Sequence, residues 1–295
     1  MKKFIILIPL YNDWKSVSKL LLEIDLQTAN WQAEVSVIIV NDASTEARPD
    51  LDLNFKKIKS FKILNMKKNI VHQRCIATGL KYICEKENFD RAIIMDADGE
   101  DRPEELNDFF EKTKENPNKT ITGNRFKRSE GIIFRVLYEF HKMLTLIFTG
   151  KLIKFGNFSC LPKNHVEQLI QKPYLWNSYS SSVVKTINER TFIPSTRGIR
   201  YVLPSKMNFM ALVFHSLAII SVFSNLVFIR SFIFLIAYVL LISKNISIVT
   251  LSPILFLLIF VLYIFKISKR GNMYEFNKSL ENIANIDVLR SSDNR

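Results

Sequence analysis

The sequence predicts an α/β domain with a mostly parallel sheet, followed by two apolar helices long enough to cross a membrane. Three observations support this prediction. Short apolar segments alternate with helical segments over the first two thirds of the chain, acidic residues follow two of these segments, and long apolar runs fill the last third. Strands that alternate with helices in this way form parallel sheets that are covered on both faces.

Composition limits the possible functions. The chain has 295 residues and a net charge of +13, enough for one full domain and an appendage. Positive charge beside apolar segments indicates an anionic bilayer surface or a phosphorylated substrate. We expect no nucleic-acid partner, because the sequence has no nucleic-acid motif and no basic stripe with interleaved aromatic residues. Its three cysteines lack metal or redox spacing and fit a reducing compartment.

The predicted strands are short apolar runs, and the segments between the early ones have helical periodicity. The strands cover residues 3–8, 34–40, 61–64, 91–95 and 120–122, and the helices cover 16–26 and 71–86. The N-terminus carries two lysines, and the first run ends at a proline. We interpret it as a strand because it lacks the apolar core and the cleavage site of a signal peptide.

Carboxylates follow two of the predicted strands. Asp42 comes after the second strand, and Asp96 and Asp98 come after the fourth. Open α/β sheets bind ligands at this edge, and two carboxylates around a tight turn can reach one Mg²⁺ or Mn²⁺ ion. Aspartates also favour turns and helix caps for local reasons, which would explain any one of them. Two acidic strand ends at one edge favour a binding site.

Further polar motifs follow the other elements. They are Pro9-Leu10-Tyr11-Asn12-Asp13, Asn41-Asp42-Ala43-Ser44, His72-Gln73-Arg74, Asp96-Ala97-Asp98, Gly123-Asn124-Arg125 and Gly156-Asn157-Phe158-Ser159. In order and spacing this set resembles the inverting family-2 glycosyltransferases with a GT-A fold. The branch that it most resembles is that of the polyprenyl-phosphate glycosyltransferases, similar to dolichol-phosphate mannosyltransferase, which carry C-terminal membrane helices. The resemblance spans roughly residues 4–270.

The resemblance implies a nucleotide-sugar site. Pro9, Tyr11 and Asp13 would line the nucleotide pocket, and Asp42 would bind the base or ribose. Asp96 would join this site through the diphosphate.

The resemblance also implies that Asp96 and Asp98 bind Mg²⁺ or Mn²⁺. Our candidate catalytic residues are Asp98, Asp101, which could supply a base, and Arg125, which follows a predicted strand beside the diphosphate. Breaking a sugar–diphosphate bond leaves charge on the departing phosphate, which a divalent cation and arginines stabilise without proton transfer.

Two departures from the family pattern bear on the acceptor. Glu100 replaces a glutamine of many relatives and is either an added metal ligand or a solvated turn residue. Asn157 replaces an aspartate and cannot act as a base. A hydroxyl acceptor needs a base, which Asp101 could supply, whereas a lipid phosphate is already an anion and needs only positioning. A phosphate acceptor is therefore favoured.

The chain divides into four parts in this interpretation. Residues 1–204 form the GT-A domain, 205–225 an interfacial helix, 226–267 a two-helix transmembrane hairpin, and 268–295 a polar cytoplasmic tail, peripheral or disordered. Arg200 and Lys206 precede the hairpin. They would bind the acceptor phosphate, and the positive-inside rule accounts for them equally well.

We therefore expect a multi-pass enzyme of the cytoplasmic membrane with its catalytic domain in the cytoplasm. It would move a sugar from a UDP- or GDP-sugar to a polyprenyl phosphate. The alternatives are transfer to a hydroxyl of a lipid-linked glycan and a non-catalytic membrane scaffold. The resemblance also admits a homo-oligomer formed through the membrane helices.

Overall fold

The computed structural model describes residues 1–51, 54–127, 132–202 and 209–291. Within them the strands are β1 (Lys2–Leu10), β2 (Ala33–Asn41), β3 (Ile58–Met66), β4 (Arg91–Ile94), β5 (Thr120–Lys127), β6 (Ser159–Pro162), β7 (Arg190–Thr196) and β8 (Ile283–Arg290). The helices are α1 (Trp14–Gln27), α2 (His72–Lys86), α3 (Leu106–Glu115), α4 (Ile132–Thr149), α5 (Lys163–Ile170), α6 (Tyr179–Thr186), α7 (Phe209–Ser221), α8 (Ser224–Ile242), α9 (Ile248–Ser268) and α10 (Met273–Asn277). Short 3-10 helices cover Pro103–Glu105, Pro173–Trp176 and Ser279–Asn282.

All eight described strands form one mixed sheet in the order β7-β5-β6-β4-β1-β2-β3-β8. The four strands β4, β1, β2 and β3 are parallel to one another, as predicted, while β6 and β8 run antiparallel to their neighbours. The prediction of a mostly parallel α/β sheet is confirmed. The sequence did not indicate β6, β7 or β8.

Both faces of the central strands are covered, which explains their continuous apolar runs. In β1, Ile6 and Ile8 pack into the cluster that contains α1 and α3. Ile5 and Leu7 point to the opposite face, into the cluster that contains α2, α5 and α6. Alternate side chains of a strand point to opposite faces, so an unbroken apolar run is what a doubly covered strand requires.

Strand register brings the sequence motifs to one edge of the sheet. Leu7 pairs with Ile94, and Leu10 pairs with Asn41. The three segments that leave β1, β2 and β4 at their carboxyl ends therefore start side by side. This is where open α/β sheets hold their ligands.

The C-terminal segment forms α10 and β8, so of the two predicted alternatives the disordered tail is wrong for the described residues up to 291. β8 pairs with the outer edge of β3, and the Arg48–Asp287 ion pair, 2.6 Å long, ties it to the loop after β2. Phe276 of α10 is buried in the α2 face of the core. β8 covers an edge that would otherwise present unpaired backbone groups. Its mixed polar and apolar sequence gave no strand signal.

Two helices, α8 and α9, are long and apolar enough to cross a membrane, and together they cover the range predicted for the hairpin, 226–267. Only 11% and 6% of their most apolar windows are buried within the protein, unlike those of a core helix. α4 packs against them through Phe148, which contacts Phe234 and Phe260. The chain passes from α9 through α10 into β8, so both ends of this hairpin connect to the sheet domain.

The burial of Phe276 predicts that the segment after the hairpin stabilises the sheet domain. We expect Phe276→Ala to lower the free energy of unfolding by about 3–5 kcal/mol, because a buried aromatic ring leaves a cavity. The measurement is denaturant unfolding of the detergent-solubilised protein, followed by tryptophan fluorescence. Tyr274→Ala is the matched control because Tyr274 is 67% exposed. Equal effects of the two substitutions would contradict the structural role of the segment.

Candidate active site

The acidic turn after β4, residues 95–102, forms the centre of the site. Glu100 donates its backbone N–H to Asp98 Oδ1 at 2.9 Å, which closes a local turn. Gly99 has a φ of 84°, a conformation that glycine adopts without strain. Pro103 then starts a 3-10 helix. The turn therefore holds Asp96, Asp98 and Asp101 within one short loop at the sheet edge.

Asp96 is held by groups from two other segments. Its Oδ1 accepts a hydrogen bond from Asn157 Nδ2 at 3.0 Å and lies 3.2 Å from His72 Nε2. Burial opposes ionisation, but His72 and Asn157 lower the pKa of Asp96 below its ordinary value. The same carboxylate raises the pKa of His72 against the effect of burial. Asn157 suits this place because an aspartate there would set a second carboxylate against Asp96.

Asp98 is paired with an arginine from far along the chain. Arg200 Nη1 lies 2.5 Å from Asp98 Oδ2, and Arg200 Nη2 lies 3.0 Å from Asp13 Oδ2. Burial and the charges of Asp96 and Glu100 raise the pKa of Asp98 to about 6, while Arg200 opposes the rise. The negative charge of this turn is therefore only partly balanced by the protein.

Asp101 points into the protein. It is 1% exposed, its Oδ1 lies 3.1 Å from Arg125 Nη2, and its Oδ2 accepts the backbone N–H of Asp96 at 3.0 Å. Burial and the Asp96 charge raise the pKa of Asp101 to about 7, with Arg125 opposing. Asp101 and Arg125 thus form an ion pair, and their catalytic roles remain a prediction. In this arrangement the Asp101 contacts hold the acidic turn in place. Both carboxylate oxygens of Asp101 already have a partner within the protein.

The segment Arg197–Tyr201 crosses the acidic turn, and we call it the strap. Gly198 donates its N–H to the Glu100 carbonyl at 2.8 Å, and Tyr201 donates its N–H to the Asp98 carbonyl at 2.9 Å. Arg197 pairs with Glu100 at 2.5 Å. A side chain at residue 198 would collide with the backbone of the turn, which explains the glycine.

The strap shows where one predicted acceptor ligand lies. The guanidinium of Arg200 binds the carboxylates of Asp98 and Asp13, and its role towards the acceptor phosphate remains a prediction. The sequence could not indicate this pairing, because it joins residues more than a hundred positions apart. Lys206, the other predicted phosphate ligand, lies outside the described residues.

Asp42 is directed towards the start of α2. It is 3% exposed, and its two oxygens accept the backbone N–H groups of Ile70 at 2.6 Å and Val71 at 3.0 Å. Val71 has a φ of 77°, which is strained for a β-branched residue. These hydrogen bonds hold the turn that places His72 beside Asp96. The nucleotide-binding role of Asp42 remains a prediction.

The loop after β1 lies beside the acidic turn. Pro9 is buried within β1 and pairs with Val40 of β2, whereas Tyr11 is 43% exposed. Asn12 donates its N–H to Ser44 Oγ at 2.9 Å, so the loops after β1 and β2 are joined. An exposed aromatic ring at this edge offers a surface on which a planar base could stack.

Three residues of the site received no role from the sequence: His72, Asn157 and Arg197. The first two lie in motifs that carried the family resemblance, so their position after predicted elements was an available signal. Arg197 was visible only as part of a basic stretch before the apolar helices.

The donor set of the turn fits a divalent cation that is shared with a substrate. Within residues 1–51, 54–127, 132–202 and 209–291, no three His, Cys, Asp or Glu side chains form a complete metal site. Carboxylate oxygens of Asp96 and Asp98 suit Mg²⁺ or Mn²⁺, which usually complete their coordination with water and phosphate oxygens. Burial and the neighbouring carboxylates raise the pKa of Asp98, and a bound cation would offset both effects.

Comparisons with known proteins identify the family and the fold. The family model described as Glycosyl transferase family 2 matches residues 5–172, more than half of the chain. A search of curated protein sequences finds no significant match.

Similar folds occur among solved structures. One is glucosyl-3-phosphoglycerate synthase from Mycobacterium tuberculosis, in complex with Mn²⁺, UDP-glucose and phosphoglyceric acid, with 10% identity, a TM-score of 0.54, and coverage of 77% of this chain and 80% of that one. Another is mannosyl-3-phosphoglycerate synthase from Rubrobacter xylanophilus, with 11% identity, a TM-score of 0.52, and coverage of 74% and 72%. Together with the family match, these similarities confirm the predicted fold class.

The Asp42 contacts predict a role in stability that needs no ligand. We expect Asp42→Ala to lower the free energy of unfolding by about 1–3 kcal/mol, because two buried backbone N–H groups lose their acceptor. Denaturant unfolding without nucleotide measures this. Asp50→Ala, at an exposed position, is the control and should have little effect. If Asp42→Ala unfolds like the control, the anchoring role is wrong.

The Arg200–Asp98 ion pair predicts competition between this arginine and a divalent cation. We expect Arg200→Ala to tighten Mn²⁺ binding about tenfold, because the cation no longer has to displace a charge-assisted hydrogen bond. Titration of Mn²⁺ by electron paramagnetic resonance measures the affinity without turnover. Arg102→Ala is the control, since Arg102 ends the same turn but pairs with Glu104 of the following 3-10 helix, at 3.4 Å. Unchanged or weaker Mn²⁺ binding in Arg200→Ala would refute the competition.

Proposed function

We propose that this chain, which belongs to glycosyl transferase family 2, moves a sugar from a nucleotide-sugar to a polyprenyl phosphate at a membrane surface. Family membership establishes that the protein is a glycosyltransferase. Our proposal concerns the nature of the acceptor, the membrane location and the roles of individual residues. The scaffold alternative is not retained.

The observation that carries the proposal is the contact between the acidic turn and the strap. In the sequence the strap precedes α7 and the apolar hairpin, and Arg200 of the strap binds Asp98 directly. A site joined in this way to apolar helices favours an acceptor that is itself held in a bilayer. Since α9 leads back into the sheet through α10 and β8, both ends of the hairpin would lie on one side of that bilayer.

Basic residues indicate which side this is. Arg197 and Arg200 precede the apolar helices, and Lys266, Lys269 and Arg270 follow α8 and most of α9. The positive-inside rule then favours a cytoplasmic catalytic domain. Assembly of several copies through the membrane helices remains a prediction.

The chemistry of the site favours a phosphate acceptor. Residue 157 is an asparagine hydrogen-bonded to Asp96, and Asp101 is buried against Arg125. An anionic phosphate needs no base to become a nucleophile, so this arrangement suits it. The second candidate acceptor, a hydroxyl of a lipid-linked glycan, would require Asp101 to leave Arg125 and the backbone of Asp96.

Each residue then has a physical task. Asp96 and Asp98 would hold Mg²⁺ or Mn²⁺, which supplies charge stabilisation to the departing diphosphate. Asn157 and His72 keep the Asp96 carboxylate ionised and oriented. Tyr11 and Asp13 lie where the nucleotide would bind. Direct attack by the acceptor phosphate opposite the leaving diphosphate inverts the sugar configuration.

The first test measures release of nucleoside diphosphate by the detergent-purified protein. UDP- and GDP-sugars are supplied with Mn²⁺ or Mg²⁺, and with or without undecaprenyl phosphate. We expect release with one donor, dependent on the lipid and on the cation. UDP-glucose with Mn²⁺ is a suitable first pair, because a glycosyltransferase of this fold has been crystallised with both. Release that is indifferent to the lipid would refute the proposed acceptor.

Asp98→Ala tests the proposed metal ligand in the same assay. We expect a loss of activity of about 100-fold or more, because the leaving diphosphate loses its charge stabilisation. Asp108→Asn is the control, since Asp108 is exposed in the first turn of α3. Near-normal turnover of Asp98→Ala would contradict the proposal that Asp98 binds the metal ion.

A further inference from the structure

A cavity of about 620 Å³ lies between α7, the start of α2 and the end of α9. Its walls are mostly apolar. They include Val213, Phe214, Leu217 and Ala218 of α7, together with Trp176 and Tyr263. The volume is within the range of small-molecule sites, about 300–1,000 Å³. One wall, α9, also belongs to the exposed apolar hairpin, so the cavity lies where that hairpin meets the catalytic domain.

Two arginines line the same cavity. Arg74 lies over the ring of Trp176 at 4.8 Å, and Arg270 lies over the ring of Phe214 at 4.5 Å. Arg74 Nη2 is 3.3 Å from Glu275 Oε2. Burial lowers the pKa of Arg74, and the nearby charge of Arg270 adds to this, with Glu275 opposing. Glu275 is thus the carboxylate that acts on both Arg74 and Arg270. One negative charge beside two guanidinium groups leaves a net positive charge at an apolar wall.

The cavity adjoins the acidic turn. Val71 and Gln73, on either side of His72, both line it. Gln73 Nε2 donates to Asn157 Oδ1 at 3.3 Å, and Asn157 Nδ2 donates to Asp96 Oδ1 at 3.0 Å. Two hydrogen bonds therefore separate the cavity wall from the carboxylate proposed to hold the cation.

We infer that this cavity binds the lipid-phosphate acceptor, with the first part of the apolar chain against α7 and the phosphate drawn to Arg74 and Arg270. The inference rests on the proposed function. Apolar walls disfavour a nucleotide-sugar, which is polar throughout, whereas a chain ending in one anionic group matches both the walls and the charge. It also gives the acceptor phosphate two arginines in place of Arg200, which is engaged by Asp98 and Asp13.

Trp176 reports occupancy of the cavity. The other two tryptophans, Trp14 and Trp31, lie in the core cluster on the opposite face of the sheet. A polyprenyl phosphate analogue with a bromine or nitroxide quencher near its phosphate should quench the Trp176 emission in the detergent-solubilised protein. The Trp176→Phe variant measures how much the lipid analogue quenches the other two tryptophans. Loss of the remaining quenching in this variant assigns it to Trp176.

Filling the cavity tests the site of the chain. We expect Ala218→Phe to weaken binding of the quencher-labelled lipid about tenfold or more, because the added ring takes the space of the chain. Ala237→Phe, on the exposed surface of α8, is the matched control and should bind as the parent does. Val213→Phe, at a partly exposed wall position, is a second variant should Ala218→Phe fail to fold. Parent-like affinity in a folded cavity variant would overturn the inference.

Charge removal tests the site of the phosphate. Arg270→Gln should weaken binding of the labelled polyprenyl phosphate and leave that of the labelled polyprenol, which lacks the phosphate, unchanged. Lys269→Gln removes a neighbouring charge that lies over Phe265, and should change neither. Competition by unlabelled phosphatidylglycerol as strong as that by unlabelled polyprenyl phosphate would overturn the assignment to the acceptor and indicate a site for bulk anionic lipid.

Binding of Mn²⁺, followed by electron paramagnetic resonance, separates this inference from the proposed function. Folded cavity variants should bind Mn²⁺ as the parent does and lose only the lipid. Lipid-independent release of nucleoside diphosphate by the parent would refute the proposed function. Lipid-dependent release together with parent-like lipid binding in Ala218→Phe would refute the cavity alone.

Discussion

The structure of the site depends on the repulsion between carboxylates crowded into one turn. Asp96, Asp98, Glu100 and Asp101 lie within six consecutive positions, and burial makes each charge more costly. One histidine and three arginines from three other parts of the chain offset this charge: His72, Arg125, Arg197 and Arg200. The acidic turn therefore determines how α2, β5 and the strap are arranged around the sheet edge.

An added cation would change the ion pairs of this site, because the carboxylates of the acidic turn are already paired with arginines and a histidine. Breaking a buried pair by removing one partner is costly, because the remaining charge is left uncompensated. A cation that binds Asp98 compensates the charge of this carboxylate. The Arg200 guanidinium then loses Asp98 as its partner. A phosphate is the natural new partner for a released guanidinium, since arginine binds phosphate through two parallel hydrogen bonds. Cation binding, phosphate binding and the position of the strap are thus linked through one residue.

The sequence predicted those parts of the structure that rest on local patterns. The strands β1 to β4 were visible because doubly covered strands are continuous apolar runs, and Asp96 and Asp98 because acidic residues follow one of them. The partner of Arg200 and the orientation of Asp42 were not predictable, because both depend on tertiary contacts between distant segments. β8 was missed because an edge strand that is only partly buried carries a mixed pattern that resembles a polar tail.

The two sides of the carboxylate pair have different surroundings. Asp98 faces Arg200, Asp13 and the loop after β1, where the nucleotide would bind. Asp96 faces His72 and Asn157, and through Gln73 it adjoins the apolar cavity. Inverting transfer requires the attacking and leaving groups on opposite sides of the sugar carbon. With the donor on the Asp98 side and the lipid phosphate on the Asp96 side, the sugar would lie between them, so the asymmetry of this site matches the stereochemistry of the proposed reaction.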